Sequence, residues 1–197
     1  MTEIRKYLWL SQILLFALLG TCCLIVPNVV VSNGGVSNFG NHFSTFGLYS
    51  LAFLSNIFFI YLVAKRILKK FQNFHKVAYV LLSYCLLESL VLISTFPRHF
   101  SWTFSYIHDY LGVALFYIEL GLTIWFVSKR KTALTALFLV IELIGQVIGL
   151  FSILKTVQLL LVGQLLASFG FGLFLVIIFP DILRTEALVK NKKRQGQ

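Results

Sequence analysis

Charged residues are scarce in this chain of 197 residues, where they make up 12% of the sequence, whereas soluble domains carry about 25%. Acidic residues are scarcer than basic ones, with 7 Asp and Glu against 17 Lys and Arg. The hydrophobic share is high, at 58%, and 16% of the residues are aromatic. This composition excludes an intrinsically disordered chain and argues strongly against a soluble globular fold.

Motifs of soluble enzymes are also missing from the sequence. It has no phosphate-binding loop, no glycine-rich dinucleotide turn and no Cys-x-x-Cys pair. The cysteines at Cys22, Cys23 and Cys85 all fall in apolar stretches, where cysteine behaves as a small apolar residue. The sequence therefore gives no reason to expect a cofactor or a disulfide framework.

Long apolar stretches, in contrast, occupy most of the chain. A helix needs about 20 residues to cross a bilayer, and six stretches are that long. They cover residues 7–31, 45–64, 77–96, 104–127, 132–152 and 156–179. Because their connections are short, consecutive helices should pack antiparallel. We expect an all-α integral membrane protein, with residues 1–197 forming a single six-helix transmembrane domain whose first helix is retained.

The positive charges cluster in alternate connections between these stretches. Fifteen of the Lys and Arg residues lie on one predicted side, and only Arg98 and Lys155 lie on the other. The positive-inside rule then predicts that the N and C termini are both cytoplasmic. We interpret the net charge of +10, including the basic tail 190–194, as an orientation signal. Membrane lipids, and not nucleic acid, are the expected partners.

Three glutamates lie deep inside predicted spans. Glu88, Glu119 and Glu142 are roughly 14–18 Å from the cytoplasmic ends of their helices, at 1.5 Å per residue. A charged group at that depth costs at least about 2.5–3.5 kcal/mol, which makes each one a functional candidate. The nearest intramembrane amide side chains are Asn56, Gln146 and Gln164.

The chemistry of these carboxyl groups leaves alternatives open. No intramembrane Lys or Arg accompanies them, and three like charges cannot all persist in a dry core. They are either protonated groups that hydrogen-bond helices together, or the lining of a polar cavity that takes a ligand or a proton. A metal site is the third alternative, although hard cations need several convergent oxygens.

Residue spacing indicates one shared interior for the polar groups. Glu142 and Gln146 are four residues apart, and His108 and Glu119 are separated by almost three whole helical turns, so each pair shares a helix face. Small residues predict close helix contacts in the last two spans: Gly145, Gly149, Gly163, Ala167 and Gly170.

The predicted outer side carries further candidate residues. His42, His99 and His108 together with Asp109 could bind zinc, but no pair has ligand-like spacing. A haem would need a second axial ligand inside a span besides His108. We therefore expect neither metal nor cofactor.

Two more features belong to this side. Arg98 lies beside an aromatic belt and could contact a lipid phosphate. The uncharged loop over residues 31–44 is rich in Gly, Asn and Ser, and is either a lid over the bundle or a tight connector.

Several of these features together carry a family resemblance. The Gly- and Asn-containing first loop, Phe96-Pro97, and the run Ile107-His108-Asp109-Tyr110-Leu111-Gly112 resemble an uncharacterised prokaryotic family of six-helix membrane proteins, grouped as a domain of unknown function. That family is distantly similar to the DRAM/Frag/Sfk group of eukaryotic membrane proteins. The resemblance implies a multi-pass protein of a prokaryotic plasma membrane and a connection with lipids, but no established activity.

Three functions are consistent with the sequence. The predicted one is binding or movement of a lipid or small amphiphile, with Glu119, Glu142 and Gln146 shaping a cavity and His108 positioning a head group. The first alternative is a membrane-embedded lipid hydrolase or transferase, with His108 as base or metal ligand and Asp109 as its partner. The second is a structural subunit whose polar residues only join helices.

Overall fold

The computed structural model describes residues 2–31, 35–97, 101–185 and 188. Among these residues there is no strand, and almost all of them are helical. Six helices are long and apolar enough to cross a membrane, which confirms the predicted all-α six-helix fold. They are α1 (Thr2–Ile25), α2 (Phe43–Lys70), α3 (His75–Thr95), α4 (Trp102–Lys129), α5 (Ala133–Ile153) and α6 (Leu160–Thr185).

Most of the apolar surface of these helices is not covered by protein. Only 22% of the most apolar window of α4 is buried within the bundle, and even in α6 the share is 56%. Large apolar side chains on the outer surface include Leu24 and Ile93, which are 84% and 69% exposed. Water would not tolerate so much continuous apolar surface, whereas lipid covers it. The chain is a polytopic membrane protein.

Three helices extend five or six residues beyond the predicted apolar stretches at the basic end. α6 continues to Thr185 rather than ending at residue 179. α1 begins at Thr2 rather than at residue 7, and α2 continues to Lys70 rather than ending at residue 64. The extensions of α1 and α2 are linked, because Arg66 forms an ion pair with Glu3 and donates to the Tyr7 hydroxyl at 3.2 Å. Hydropathy alone does not detect helix turns that emerge from the hydrocarbon.

Two other helix ends are set by local backbone chemistry. α1 ends at Ile25 rather than at residue 31, because Pro27 has no N–H to continue the helix. A single separate turn, Asn28–Val31, follows it. Lys155 has a φ of 60°, a left-handed conformation that ends the turn after α5. As a result α6 begins at Leu160 instead of residue 156.

α5 and α6 pack with their backbones in direct contact. A Cβ added to Gly145 would lie 2.3 Å from the backbone nitrogen of Ala167. A Cβ added to Gly163 would lie 2.5 Å from the backbone nitrogen of Gly149. The predicted close contact through small residues is confirmed.

In comparison, α4 and α5 touch each other far less than any other consecutive pair of long helices.

α6 changes its hydrogen-bond register near its end. Phe174–Ile178 forms a π-helical turn, in which the Phe179 N–H donates to the Phe174 carbonyl. The wider turn comes just before Pro180, which has no N–H to continue an α-helical register. It brings aromatic rings of α6 against α4, with Phe126 and Phe179 separated by 5.1 Å between centroids.

An even number of crossings brings Thr2 and Thr185 to the same end of the bundle. We call this the basic end, and it also holds the connections 71–74 and 130–132. The other end, which holds residues 26–31, 35–42, 96–97, 101 and 154–159, is called the opposite end.

Candidate functional site

The three predicted intramembrane glutamates all turn into the bundle. Glu88, Glu119 and Glu142 are 1%, 5% and 0% exposed, and the Glu119 carboxyl is within electrostatic range of the other two. They belong to one group of inward-facing polar side chains, which we call the polar cluster. It consists of Ser11, Gln12, Asn56, Tyr84, Glu88, Glu119, Thr123, Glu142 and Gln146.

One part of the polar cluster, the Asn56 centre, has a complete set of hydrogen bonds. Asn56 Nδ2 donates to both carboxyl oxygens of Glu88, at 2.7 and 3.0 Å. Asn56 Oδ1 accepts from the Ser11 hydroxyl and from Gln12 Nε2, the latter at 3.3 Å. An asparagine amide offers two donors and two acceptor positions. Asn56 therefore has its bonding capacity filled and joins α1, α2 and α3.

The other part, the Glu142 centre, is formed by Glu119, Thr123, Glu142 and Gln146 and is not complete. Glu142 Oε1 accepts from Gln146 Nε2 at 3.2 Å, one helical turn away. Thr123 faces the Glu142 carboxyl from α4. Even so, Thr123 Oγ1 and Glu142 Oε2 are buried and complete no hydrogen bond within 3.5 Å. This centre holds an open acceptor and an open hydroxyl side by side.

Tyr84 connects the two centres. It lies one turn before Glu88 on α3, and its hydroxyl is 3.4 Å from Asn56 Nδ2 on one side. On the other side the Tyr84 side chain is within electrostatic range of the Glu119 carboxyl. The polar cluster thus runs from α1 to α5 without passing through an apolar layer.

Backbone packing fixes the position of Glu142. A Cβ added to Gly170 of α6 would lie 2.7 Å from the Glu142 backbone nitrogen. The α6 backbone therefore packs directly on the backbone of α5 at Glu142, whose carboxyl group lies near Thr123 and Glu119 of α4. The glycine face that the sequence predicted is therefore also what positions the acid.

Four members of the polar cluster were not among the predicted site residues: Ser11, Gln12, Tyr84 and Thr123. Ser11 and Gln12 are adjacent polar residues in an otherwise apolar stretch of α1, and Tyr84 and Glu88 share a helix face. Both patterns are visible in the sequence. Only the packing shows that they meet the glutamates.

His108 is buried, as predicted from its position on the same helix face as Glu119, yet it lies apart from the polar cluster. It is separated from Glu119 by about 16 Å along α4, at 1.5 Å per residue. Its Nδ1 is 3.0 Å from Ser94 Oγ of α3, and this contact joins the two helices near the opposite end. Asp109 is exposed, because the next residue of a helix points about 100° away. The structure does not bring Asp109 to the inner face with His108.

Gln164 also lies apart from the glutamates. Its Oε1 accepts a hydrogen bond from the Val36 backbone N–H at 2.7 Å. Gly35 packs directly on the Gln164 amide, because an added Cβ would lie 2.4 Å from Oε1. The residue holds the first loop at the opposite end instead of joining the polar cluster.

The described part of that loop covers the opposite end. Residues 35–41, which we call the Phe39 cap, include the short 3-10 helix Val36–Asn41. Phe39 is fully buried against Leu19 and Tyr49, and its carbonyl accepts from Thr45 Oγ1 at 2.7 Å. The Phe39 cap therefore packs over the ends of the helices and does not form only a turn.

Other predicted outer residues form no site within the described ranges. Arg98 and His99 lie outside the described residues, and His42 is exposed. No group of three or more His, Cys, Asp or Glu side chains is arranged to hold a metal ion in the part of the chain that the structure describes.

Comparison of the chain with protein-family models, with curated proteins and with solved structures gave no match. The resemblance to the uncharacterised prokaryotic six-helix family stays a prediction.

Proposed function

We propose that this polytopic membrane protein binds a lipid or small amphiphile whose head group is held at the Glu142 centre. The supporting observation is the contrast between the two centres: Asn56 is fully bonded, whereas Glu142 Oε2 and Thr123 Oγ1 are buried close to each other and complete no hydrogen bond within 3.5 Å. A buried polar group without a partner costs about 1–3 kcal/mol. A ligand that supplies the missing bonds recovers that cost.

The groups at the Glu142 centre favour a head group that donates hydrogen bonds. Glu142 Oε2 is an open acceptor, and the Glu119 carboxyl lies beside it. Among the described residues no Lys or Arg is buried, so the protein supplies no positive charge there. A primary amine offers three donors and a charge of the complementary sign. We therefore assign the ligand class as an amphiphile with an amino head group.

We propose that the apolar part of such a ligand lies along α4 and α5. These helices pack loosely against each other. Gly112 and Gly149 both lie about 25 Å from the basic ends of their helices, and nothing is within 4 Å of a Cβ added at either. Glu119 and Glu142 lie at roughly 15 Å from the same ends. A chain extending from the head group towards the opposite end would pass these glycines.

The proposed setting follows the distribution of charge. We place the basic end in the cytoplasm and the protein in a prokaryotic plasma membrane, with membrane lipids as partners.

Binding of matched probes to the full-length protein in nanodiscs tests this proposal. Dodecylamine carries the amino group, and N-acetyldodecylamine is its neutral analogue. We expect dodecylamine to bind more tightly, and Glu119→Gln and Glu142→Gln each to weaken it about tenfold, equivalent to about 1.4 kcal/mol. Glu3→Gln, which removes an acid near the basic end, is the control and should bind normally.

Two results would overturn the proposal. One is unchanged dodecylamine binding in both glutamate variants when circular dichroism shows them folded. The other is a wild-type protein that binds neither probe and carries no co-purified amphiphile detectable by mass spectrometry. The second result would favour the alternative in which the polar cluster only joins helices.

A further inference from the structure

A cavity lined by basic rather than acidic side chains lies at the basic end of the bundle. It has a volume of about 340 Å³ and opens between the start of α3, the end of α4 and the end of α6. No residue of the polar cluster lines it. Its lining residues are Asn73, Phe74, Trp125, Lys129, Arg130, Ile182 and Thr185.

The walls of this cavity are divided by polarity. Phe74, Trp125 and Ile182 form an apolar surface, and the Phe74 and Trp125 rings meet edge to face at 6.2 Å between centroids. Lys129 and Arg130 lie beside that surface, where the helices leave the hydrocarbon. Apolar residues next to basic ones at the membrane boundary match the chemistry of a phospholipid, whose phosphate adjoins its acyl chains.

The two basic side chains are held in place by protein contacts. Lys129 Nζ is 5.8 Å from the centroid of the Trp125 ring. Arg130 Nη1 bonds Asp181 Oδ2 at 2.8 Å, which leaves most of its five N–H donors available. Lys129 and Arg130 carry two positive charges and Asp181 carries one negative charge, so the cavity has a net positive charge.

We infer that this cavity binds a phosphate ester, with the phosphate at Lys129 and Arg130 and the adjoining apolar part along Phe74, Trp125 and Ile182. Because the cavity has an apolar surface, we expect the phosphate to belong to an anionic phospholipid. Free phosphate has no apolar part that would contact this surface. The inference does not rest on the proposed function, since it concerns different residues and the opposite ligand charge.

Quenching of Trp125 fluorescence by brominated lipids tests the inference in the full-length protein. Trp9→Phe and Trp102→Phe leave Trp125 as the sole tryptophan. Nanodiscs contain brominated phosphatidic acid or brominated phosphatidylcholine in an unbrominated phosphatidylcholine background. We expect phosphatidic acid to quench at several-fold lower lipid fraction. Lys129→Gln should raise the fraction needed about fivefold, as expected for one basic contact.

The controls separate binding from general attraction to charge and from misfolding. Lys70→Gln removes one positive charge at the same end outside the cavity lining and should leave quenching unchanged. Lys129→Gln keeps the Arg130–Asp181 bond, so its melting temperature should equal that of the parent protein. Equal effects of Lys129→Gln and Lys70→Gln, or equal quenching by both lipids, would overturn the inference.

The source of the phosphate is distinguished by competition. Inorganic phosphate and glycerol 3-phosphate are added to nanodiscs that contain brominated phosphatidic acid. We expect neither to relieve quenching at millimolar concentration, because neither fills the apolar part of the cavity. Relief by glycerol 3-phosphate would overturn the phospholipid assignment in favour of a soluble phosphate ester.

Discussion

Asn56 of α2 donates through one nitrogen to both carboxyl oxygens of Glu88 of α3, at 2.7 and 3.0 Å. Its oxygen accepts from α1, so a single amide joins three helices in the interior of the membrane. Glu142 has a different environment, with one oxygen bonded to its own helix and the other near Thr123 but completing no hydrogen bond within 3.5 Å. This difference between the two acids, rather than their burial, is the basis for the proposal that Glu142 binds a ligand whereas Glu88 joins helices.

The Asn56–Glu88 pair should be energetically coupled. In a double-mutant cycle of Asn56→Ala and Glu88→Ala, we expect a coupling energy of about 1–2 kcal/mol. This exceeds the average of about 0.6 kcal/mol for interhelical hydrogen bonds in membranes, because two oxygens share the donor. Reversible unfolding in mixed micelles measures it. Ser55→Ala with Glu88→Ala is the control pair, since Ser55 bonds only a carbonyl of its own helix; coupling as large there would refute the assignment.

Replacement by alanine should destabilise the protein at one glycine of α5 and be tolerated at another. Gly145→Ala places a Cβ 2.3 Å from the Ala167 nitrogen and should destabilise the protein by about 1–3 kcal/mol. Gly149→Ala meets nothing within 4 Å and should be tolerated. Thermal unfolding in detergent compares them. Equal stability of the two variants would contradict the backbone contact between α5 and α6.

The Phe39 cap should loosen when Gln164 loses its acceptor. Gln164→Leu removes the partner of the Val36 N–H, and losing about 0.5–1.5 kcal/mol speeds exchange about 2- to 10-fold. Hydrogen–deuterium exchange of the peptide covering residues 35–41 measures the effect. Gln158→Leu is the matched control, because Gln158 is exposed at the same end. Faster exchange in both variants would mean that the loop is not held by Gln164.

The orientation of the bundle is a further prediction. With the native cysteines replaced by alanine, Lys69→Cys at the basic end should be protected from an impermeant maleimide in intact cells. Ser44→Cys, at the opposite end, should be labelled. Permeabilising the cells should make both accessible. Labelling of Lys69→Cys in intact cells would reverse the proposed topology.

Much of the fold is predictable from the sequence, because lipid imposes a simple requirement on helix length and polarity. All six apolar stretches are helices, and the small-residue faces meet as expected. The ends are less predictable. Pro27 ends α1 within an apolar stretch, and Lys65–Lys70 continues α2 outside one. Pro27 ends α1 because it has no backbone N–H to donate. The last turns of α2 are accompanied by side-chain contacts of Arg66 with Glu3 and Tyr7, which hydropathy does not detect.

The arrangement of the polar groups is less predictable than the helices. The depth of Glu88, Glu119 and Glu142 can be read from residue counts, and the structure brings them together. Which acid Asn56 bonds depends on helix rotation and neighbours, which a single sequence does not specify. Gln164 illustrates the limit: it occurs in an apolar span like Gln146, yet it bonds the Val36 backbone at the opposite end.

Photolabelling locates a bound amphiphile in the bundle directly. A dodecylamine analogue with a diazirine near its amino group is photolysed with the wild-type protein in nanodiscs, and the modified peptides are sequenced. We expect labelling of α4 around Thr123 and of α5 around Glu142, reduced by Glu142→Gln. Labelling confined to lipid-facing residues, unaffected by that substitution, would contradict the proposal.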